Sequence, residues 1–415
     1  MHHDVREKAM PSLLKQLPLL LLLICSTVRI ASQPSAKDSL SAGTYKLAPD
    51  SSNFVTASLL IAEPRGAFLS VFGHVSLRME CPTHDLDMVF TLENDPTADP
   101  FTVGATGKAD SRFVAIPTQT LIKDCKEQRR GLMQYRLNLT HHEKQELWRL
   151  LDEDMMKGSH GHFNFQTNSC LTSTILNMKQ CLIGEFFEWG PLEYPRTLND
   201  GDFLRYSLRN APWTEFLGVT FSGTAYRQYS REEERMAPQT IIPMLRKARF
   251  VNAADTTTRP VISDEGTMLV KGKKEKPSAL TPTVVFGALF LLTLMITLGE
   301  RKLRWQRLAH GFDLLLFGFQ TLVALVLVYV IVSSEVFISR WNWYLVAFFP
   351  VPLLILLTIQ RKAIEPKCWL AYSAILLLFI LATPFLGELD LPHQLITASL
   401  LVRSFNRYSV TRDNK

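Results

Sequence analysis

The feature that most constrains this chain is a series of apolar segments, nearly free of charged residues, between positions 282 and 402. Four of them have enough residues to cross a bilayer core of about 30 Å as a helix that rises about 1.5 Å per residue. A fifth segment is shorter. The sequence therefore predicts a C-terminal bundle of four to five transmembrane helices: Pro282–Gly299, Phe312–Val332, Trp341–Ile359, Cys368–Leu386 and Leu391–Val402.

The basic residues of the connecting loops orient this bundle. Residues 300–308 contain four Lys or Arg and residues 360–367 contain three, whereas residues 333–340 contain one and residues 387–389 none. Because cytoplasmic loops carry the excess of Lys and Arg, the two basic loops are predicted to lie inside. A fifth crossing would also bring the basic tail, residues 404–415, into the cytoplasm.

The N-terminal end has the form of a secretory signal. A polar start is followed by the apolar run 17–25 and then by small residues near 32–36, where cleavage is expected. Nine apolar residues are too few for an ordinary membrane span. A stretch with neither helical nor strand periodicity precedes the first span and is interpreted as a linker. The predicted order is signal peptide 1–36, extracytoplasmic domain 37–250, linker 251–281, transmembrane domain 282–403 and cytoplasmic tail 404–415.

Composition argues against several other classes of protein. With 47% hydrophobic and 20% charged residues, the chain is neither disordered nor collagen-like. The net charge of +6 does not favour a nucleic-acid partner, because the clustered Lys and Arg adjoin apolar segments, where membrane orientation accounts for them. Six cysteines are too few for a disulfide-built fold, so the core must consist of buried apolar side chains. Neither a cofactor nor a metal is predicted.

Two residues of the exported domain are candidates for chemistry. Polar and apolar residues alternate over 74–79, which predicts a strand with His74 on a defined face, and Gly73 lets another backbone approach. The turn-like residues 164–168 precede a predicted helix that begins at Cys170. A helix N-terminus offers free N–H groups and about half a positive charge, which lowers the pKa of a thiol and supplies donors for an oxyanion. The two residues could therefore form a nucleophile and base pair.

Structural interpretations of the same residues stay open. A cysteine is among the residue types most often buried, and a histidine on a strand is commonly a hydrogen-bonded structural residue. Cys81 and Cys125 could form a disulfide in an oxidising compartment. A zinc site is conceivable, although the spacing of its ligands matches no common pattern: Cys170, Cys181, His160 and His162.

The order of several motifs resembles the Lnb-type family of periplasmic domains. The string SLLIAEPRGAFLSVFGHVSLRM is similar to the opening strand and FGH motif of that family, and FNFQTNSCLTSTIL is similar to its nucleophile motif. CKEQRRG and YRLNLTHHEKQEL lie between them, and NAPWTEFLGVTFSG follows, in the same order as in the family. WNWYLVAFFPVPLL and LPHQLITASLLVRS resemble its membrane half. One departure is Ser169, which stands where the family usually has Asn.

The resemblance implies an α+β fold. It would be a circularly permuted papain-like (NlpC/P60-type) extracytoplasmic domain, in which the His strand precedes the Cys helix, followed by the transmembrane bundle. Carried over residue by residue, Cys170 matches the nucleophile and His74 the FGH histidine. A third polar residue is expected to orient the histidine. The next predicted strand and its surroundings offer three candidates that the sequence does not rank: His84, Asp87 and Asn94.

The activity that the resemblance implies is lipoprotein N-acylation. The donor would be a phospholipid, the acceptor a diacylated lipoprotein, and the site the periplasmic face of the bacterial inner membrane. Two alternatives stay open at this stage. A papain-like pair also hydrolyses amides, which would make the protein a peptidase or amidase that acts on cell-wall peptides. The chain could instead be a non-catalytic membrane assembly protein with a structural Cys170.

Overall fold

A computed structural model gives the structure of most of the chain. The described residues are 55–65, 70–99, 102–190, 204–205, 207–222, 237–238, 240–273, 278–300, 302–336, 342–358, 364–386 and 390–413. The predicted signal peptide, residues 1–36, lies outside them.

The first half of the described chain is built on a seven-stranded antiparallel sheet with the order β10-β5-β1-β2-β3-β4-β6. Strands β7, β8 and β9 form a second sheet. In chain order the strands are β1 (Thr56–Ala62), β2 (His74–Cys81), β3 (Leu86–Asn94), β4 (Asp110–Pro117), β5 (Leu132–Arg136), β6 (Ser159–His162), β7 (Glu185–Glu188), β8 (Arg249–Asn252), β9 (Thr258–Pro260) and β10 (Thr267–Val270).

Helices cover the large sheet and then form the C-terminal part of the chain. Two of them begin with capping boxes, in which Ser or Thr and a residue three positions later exchange hydrogen bonds with the backbone. In chain order the helices are α1 (Thr118–Glu127), α2 (His141–Lys157), α3 (Cys170–Gln180), α4 (Pro212–Ser222), α5 (Ile241–Lys247), α6 (Pro282–Gly299), α7 (Leu303–Ser333), α8 (Tyr344–Phe348), α9 (Val351–Thr358), α10 (Glu365–Leu386) and α11 (Leu391–Asp413).

Apolar side chains bury both faces of the large sheet. On one face Val75 and Leu77 of β2 belong to the same buried cluster as Leu171 and Ile175 of α3. On the other face a smaller cluster contains strand residues together with Cys125 of α1. Full burial of one such aliphatic side chain is worth about 1.5–3 kcal/mol. The sheet is therefore held between helices, and α3 is fixed against β2 and β3.

The predicted linker, residues 251–281, is wrong for much of its length. Strand β8 ends inside it, β9 pairs with β8, and β10 pairs with β5 at the edge of the large sheet. These strands have three or four residues each, which is too short for a sequence period to be visible. The exported domain thus extends at least to Val270.

Three helices of the described chain are long and apolar enough to cross a membrane: Pro282–Gly299, Trp305–Ser333 and Glu365–Thr383. The third predicted span, Trp341–Ile359, is instead two short helices, α8 and α9, separated at Phe349 and Pro350. Proline lacks an N–H donor and disfavours a helical residue before it, so the helix breaks there. The sequence predicted one continuous span because α8 and α9 are both apolar.

The last helix also differs from the prediction. Helix α11 continues through most of the predicted cytoplasmic tail, to Asp413. Its Arg403 side chain is fully buried, and its Nε donates to Asp313 Oδ1 of α7 over 2.6 Å. Arg403 also donates to Glu300 Oε2 at the end of α6 over 2.9 Å, and Arg407 contacts both carboxylates. Ion pairing within the bundle therefore lets a charged helix pack against α6 and α7.

The sheet domain contacts one end of the helical bundle through the residues that follow α7. Ser334 Oγ donates to Ala105 O over 2.8 Å, and Glu335 N donates to Thr106 O over 2.8 Å. The Glu335 carboxylate also lies 2.5 Å from His162 Nδ1 of β6. These bonds tie the sheet domain to the end of α7.

Helix α4 contacts the same end of the bundle. Trp213 Nε1 donates to Leu280 O, just before α6, over 2.8 Å. Asn342 Nδ2, just before α8, donates to Thr220 O over 2.7 Å. His393 Nε2, at the start of α11, lies 2.8 Å from Thr220 Oγ1. The bundle end that meets the sheet domain is thus the end that the loop charges predict to lie outside.

This arrangement yields a prediction for topology. In a variant whose native cysteines are replaced, Ser278→Cys should react with a membrane-impermeant maleimide in intact spheroplasts. Lys302→Cys and Arg412→Cys, which are exposed at the other end, should react only after permeabilisation. Labelling of Arg412→Cys from outside would contradict an odd number of crossings.

Candidate active site

Cys170 is the first residue of α3, as the sequence predicts. Ser169 is its N-cap, and Ser169 and Thr172 exchange the two hydrogen bonds of a capping box. The turn before it is closed by the paired backbones of Asn164 and Asn168. The Asn168 side-chain amide donates to two carbonyl oxygens of β6, His160 O and His162 O, each over 2.9 Å. The start of α3 is thereby fastened to β6.

The Cys170 thiol lies where α3 meets the first residues of β2. Burial raises its pKa to about 11. Hydrogen bonds from the backbone N–H groups of Val75 and Leu171 oppose that rise, as does the positive charge of Arg130, while the Glu93 carboxylate adds to it. The thiol is therefore protonated at neutral pH.

His74 is the first residue of β2 and stands opposite Ala62 of β1. Gly73, just before it, has φ of 82°, and a Cβ atom there would lie 2.9 Å from Ala62 O, so only glycine fits. Burial and, to a lesser degree, the charge of Arg130 lower the pKa of His74 to about 4. The imidazole is therefore neutral at pH 7 and can accept a proton.

Thr91 of β3 fixes the tautomer of His74. Thr91 Oγ1 lies 2.8 Å from His74 Nε2 and 3.2 Å from Val75 O. A hydroxyl has a single proton, and a carbonyl oxygen can only accept. Both bonds exist together when Thr91 donates to Val75 O and accepts from the Nε2–H of His74. This arrangement leaves the lone pair on Nδ1, which makes Nδ1 the basic atom of the ring.

The three residues that the sequence offered for orienting His74 have other partners. His84 Nδ1 lies 3.3 Å from Cys81 Sγ, in the turn after β2. Asp87 accepts hydrogen bonds from Arg78 and Thr118, and Asn94 donates to the next backbone carbonyl. No hydrogen bond in the described part of the chain joins any of the three to His74.

The orienting residue that sequence reasoning missed is Thr91, which lies in β3 together with the candidates Asp87 and Asn94. The β2–β3 hairpin pairs Leu77 with Phe90, so Thr91 comes next opposite Ser76. A register worked out from the tight turn at 82–85 would have placed Thr91 beside the start of β2. Without that register, the sequence does not distinguish Thr91 from any other threonine in a strand.

The other cysteines and histidines do not join this site. Cys81 and Cys125 are free and buried, so the suggested disulfide between them is wrong. Cys181 is buried and contacts Met178 O. His160 Nε2 contacts Asp154 O. Within the described ranges no cluster of three or more His, Cys, Asp or Glu could hold a metal ion, and the suggested zinc site is absent there.

Two protein-family models match the chain, one in its N-terminal half and one in its C-terminal half. The Lnb N-terminal periplasmic domain matches residues 44–198, which include His74 and Cys170, and the Lnb transmembrane domain matches residues 274–415. No curated protein and no solved structure matches the chain.

The protonated thiol gives a testable pH dependence. Because the pKa of Cys170 is raised to about 11, its thiolate fraction grows tenfold per pH unit throughout the range below that value. Alkylation of Cys170 by iodoacetamide, followed by peptide mass spectrometry, should therefore accelerate about tenfold per unit between pH 7 and pH 9.

The control is the same protein in dodecyl sulfate, where the Cys170 thiol should titrate near its ordinary pKa of about 8.5 and the rate should level off above it. A rate that is already high and constant from pH 6 to pH 8 would instead indicate a preformed thiolate, and would contradict the neutral pair.

Proposed function

The chain belongs to the Lnb-type family, and from that membership we propose that it is a membrane-bound, cysteine-dependent acyltransferase. It would move an acyl chain from a phospholipid to the N-terminal amine of a diacylated lipoprotein. The observation that carries the proposal is the meeting of Cys170, at a helix N-terminus, with the start of the His74 strand on a domain bonded to an apolar bundle. The order of the two residues fits a circularly permuted papain-like (NlpC/P60-type) domain.

In the first half-reaction Cys170 is the nucleophile. His74 Nδ1 removes the thiol proton while Sγ attacks the ester carbonyl of the phospholipid. Free N–H groups at the start of α3 stabilise the oxyanion. The bond from the carbonyl carbon to the glycerol oxygen then breaks, and His74 returns the proton to that oxygen. A thioester on Cys170 and a lysophospholipid result.

A neutral resting pair keeps the Cys170 thiol unreactive until a lipid ester is bound beside it. A protonated thiol reacts slowly with oxidants and alkylating agents, and becomes reactive only when an ester is placed beside it and the base. Because the pKa of His74 is lowered to about 4, the imidazole keeps its lone pair over the whole physiological range. Proton transfer and attack then occur together.

In the second half-reaction an amine is the nucleophile. An α-amino group has a pKa of about 7.7–8.0, so an appreciable fraction is neutral near pH 7 and can attack the thioester. His74 takes a proton from the attacking nitrogen, the C–S bond breaks, and the proton returns to the sulfur. The products are an amide and the free Cys170 thiol.

The contacts between the sheet domain and the bundle support a lipid substrate. Drawing an acyl chain out of a bilayer costs about 0.8 kcal/mol per CH₂ group, so long-chain substrates must be modified at the membrane surface. The bonds of Ser334 and Glu335 hold the sheet domain at one end of the apolar helices. We place that end on the periplasmic face of a bacterial inner membrane crossed several times by the chain.

The central experiment follows the acyl group. Incubation with phospholipid alone should leave a hydroxylamine-sensitive acyl thioester on Cys170, and a diacylated lipoprotein should then receive that chain on its N-terminal amine. Cys170→Ser and His74→Ala should each abolish transfer, since one lacks the thiol and the other the base. Mass spectrometry of both proteins is the measurement.

Cys125→Ala is the matched control, because Cys125 is buried in the same domain but belongs to α1, and this variant should keep its activity. Absence of a lipid-derived thioester would refute the acyltransferase and favour a peptidase or a non-catalytic protein. Discharge of the thioester to water alone would leave the nucleophile assignment intact and contradict the amine acceptor.

The role of Thr91 is tested separately. Thr91→Val removes the hydroxyl that fixes the His74 tautomer and should lower kcat about 10- to 100-fold, since one buried hydrogen bond of about 1–3 kcal/mol is lost. Thr91→Ser keeps the hydroxyl and should restore most of the rate. Thr118→Val, which removes a comparable bond to Asp87, is the control. Equal loss in Thr91→Val and Thr118→Val would mean that Thr91 serves only the fold.

A further inference from the structure

We propose that the active site binds the phosphodiester group of the acyl donor at a cluster of cationic side chains, called here the basic corner: Arg65, Arg129, Arg130, Lys271 and Lys273. The inference rests on the proposed function, because it places the anion on the lipid that Cys170 attacks. It adds a substrate subsite to the Cys170 and His74 pair, with Arg130 as its innermost residue.

The basic corner is built by backbone bonds between three segments that leave or enter the large sheet. Glu63 N, just after β1, donates to Gly131 O, just before β5, over 2.9 Å. Lys273 N, after β10, donates to Arg129 O over 3.0 Å. Arg65 Nη1 donates to Lys273 O over 2.6 Å. The five cations are thus held at one end of the sheet by fixed backbone.

That end of the sheet is also the end that carries the catalytic pair. In the register of the strands Ala62 of β1 stands between His74 of β2 and Leu132 of β5. Neighbouring strands lie about 4.8 Å apart, so the start of β5 is roughly 10 Å from the His74 backbone. A phospholipid whose ester lies at Cys170 can therefore reach the basic corner with its phosphate.

Arg130 points inward from this corner and is incompletely paired. Its side chain is 9% exposed, its Nε donates to Glu63 O over 2.8 Å, and its Nη1 donates to Gln128 Oε1 over 3.3 Å. Its Nη2 is buried with no hydrogen-bond partner in the described part of the chain. The charge of Arg130 lowers the pKa of both His74 and Cys170, so its field reaches both groups.

The charge of the basic corner calls for an anion. Within the described residues, Glu63 is a carboxylate bonded into this corner, and its Oε2 accepts from Gly131 N over 3.1 Å. An arginine stays charged at any physiological pH, and its planar fork matches the oxygens of a phosphate. An oxyanion at Cys170 could use one buried N–H, but it would not require four further cations outside it. The whole set therefore favours the phosphodiester.

The test compares two acyl donors that differ in the phosphate. Thioester formation on Cys170 is measured with a phosphatidylglycerol and with the diacylglycerol of the same chains, both dispersed in a neutral detergent. Arg130→Gln should slow the reaction of the phospholipid about 10- to 100-fold, because a charged hydrogen bond is lost, and that of the diacylglycerol by less than about threefold. Arg130→Lys should recover part of the loss, since it keeps the charge without the fork.

Lys123→Gln is the control, because Lys123 is an exposed cation of α1 that lies outside the basic corner, and it should change either rate by less than about threefold. The proposal is overturned if Arg130→Gln leaves the ratio of the phosphatidylglycerol rate to the diacylglycerol rate unchanged, whether both rates fall equally or neither falls. An unchanged ratio is also the result expected if the corner binds a free phosphate ion instead of the lipid phosphodiester. If the wild-type protein forms no thioester with either donor, it is the proposed function that fails. The diacylglycerol rate also reports whether each variant is folded.

Discussion

The site depends on the packing of one helix against two strands. The apolar face of α3, with Leu171 and Ile175, is buried against Val75 and Leu77 of β2, so the helix cannot slide without exposing that face. Its first turn consequently lies beside the first residues of β2, where the N–H group of Val75 opposes the rise in the pKa of the Cys170 thiol. Aliphatic burial farther along α3 therefore sets the position of Cys170.

The electrostatics of the site follow from the same packing. Burial raises the pKa of the thiol and lowers that of the imidazole, so it disfavours charge on both partners and the resting pair is neutral. The positive charge of Arg130 lowers the pKa of both groups, because it disfavours an imidazolium and favours a thiolate. In the reaction proposed above, the thiol proton would move to Nδ1 in the transition state, and negative charge would appear beside the helix N-terminus.

The sequence predicted the local features well and the tertiary ones poorly. Alternation and the turn residues located the His74 strand and the start of the Cys170 helix, because both depend on a few neighbouring residues. Thr91 and Arg130 were missed, since each reaches the site only through strand pairing or a corner of the sheet. The short strands β9 and β10 and the break at Pro350 were missed because their patterns are too brief or resemble a continuous apolar run.

The membrane half places its polar contacts at its two ends. At the end that meets the sheet domain, Ser334 bonds the two parts of the chain, and Thr220 of α4 contacts Asn342 and His393 of the bundle. Towards the other end, Arg403 is buried between Asp313 and Glu300 and fixes α11 against α6 and α7. Breaking a buried pair of this kind typically costs about 3–5 kcal/mol, which resists sliding of the helices. A bundle that is ion-paired at one end and bonded to the sheet domain at the other limits movement of that domain relative to the helices.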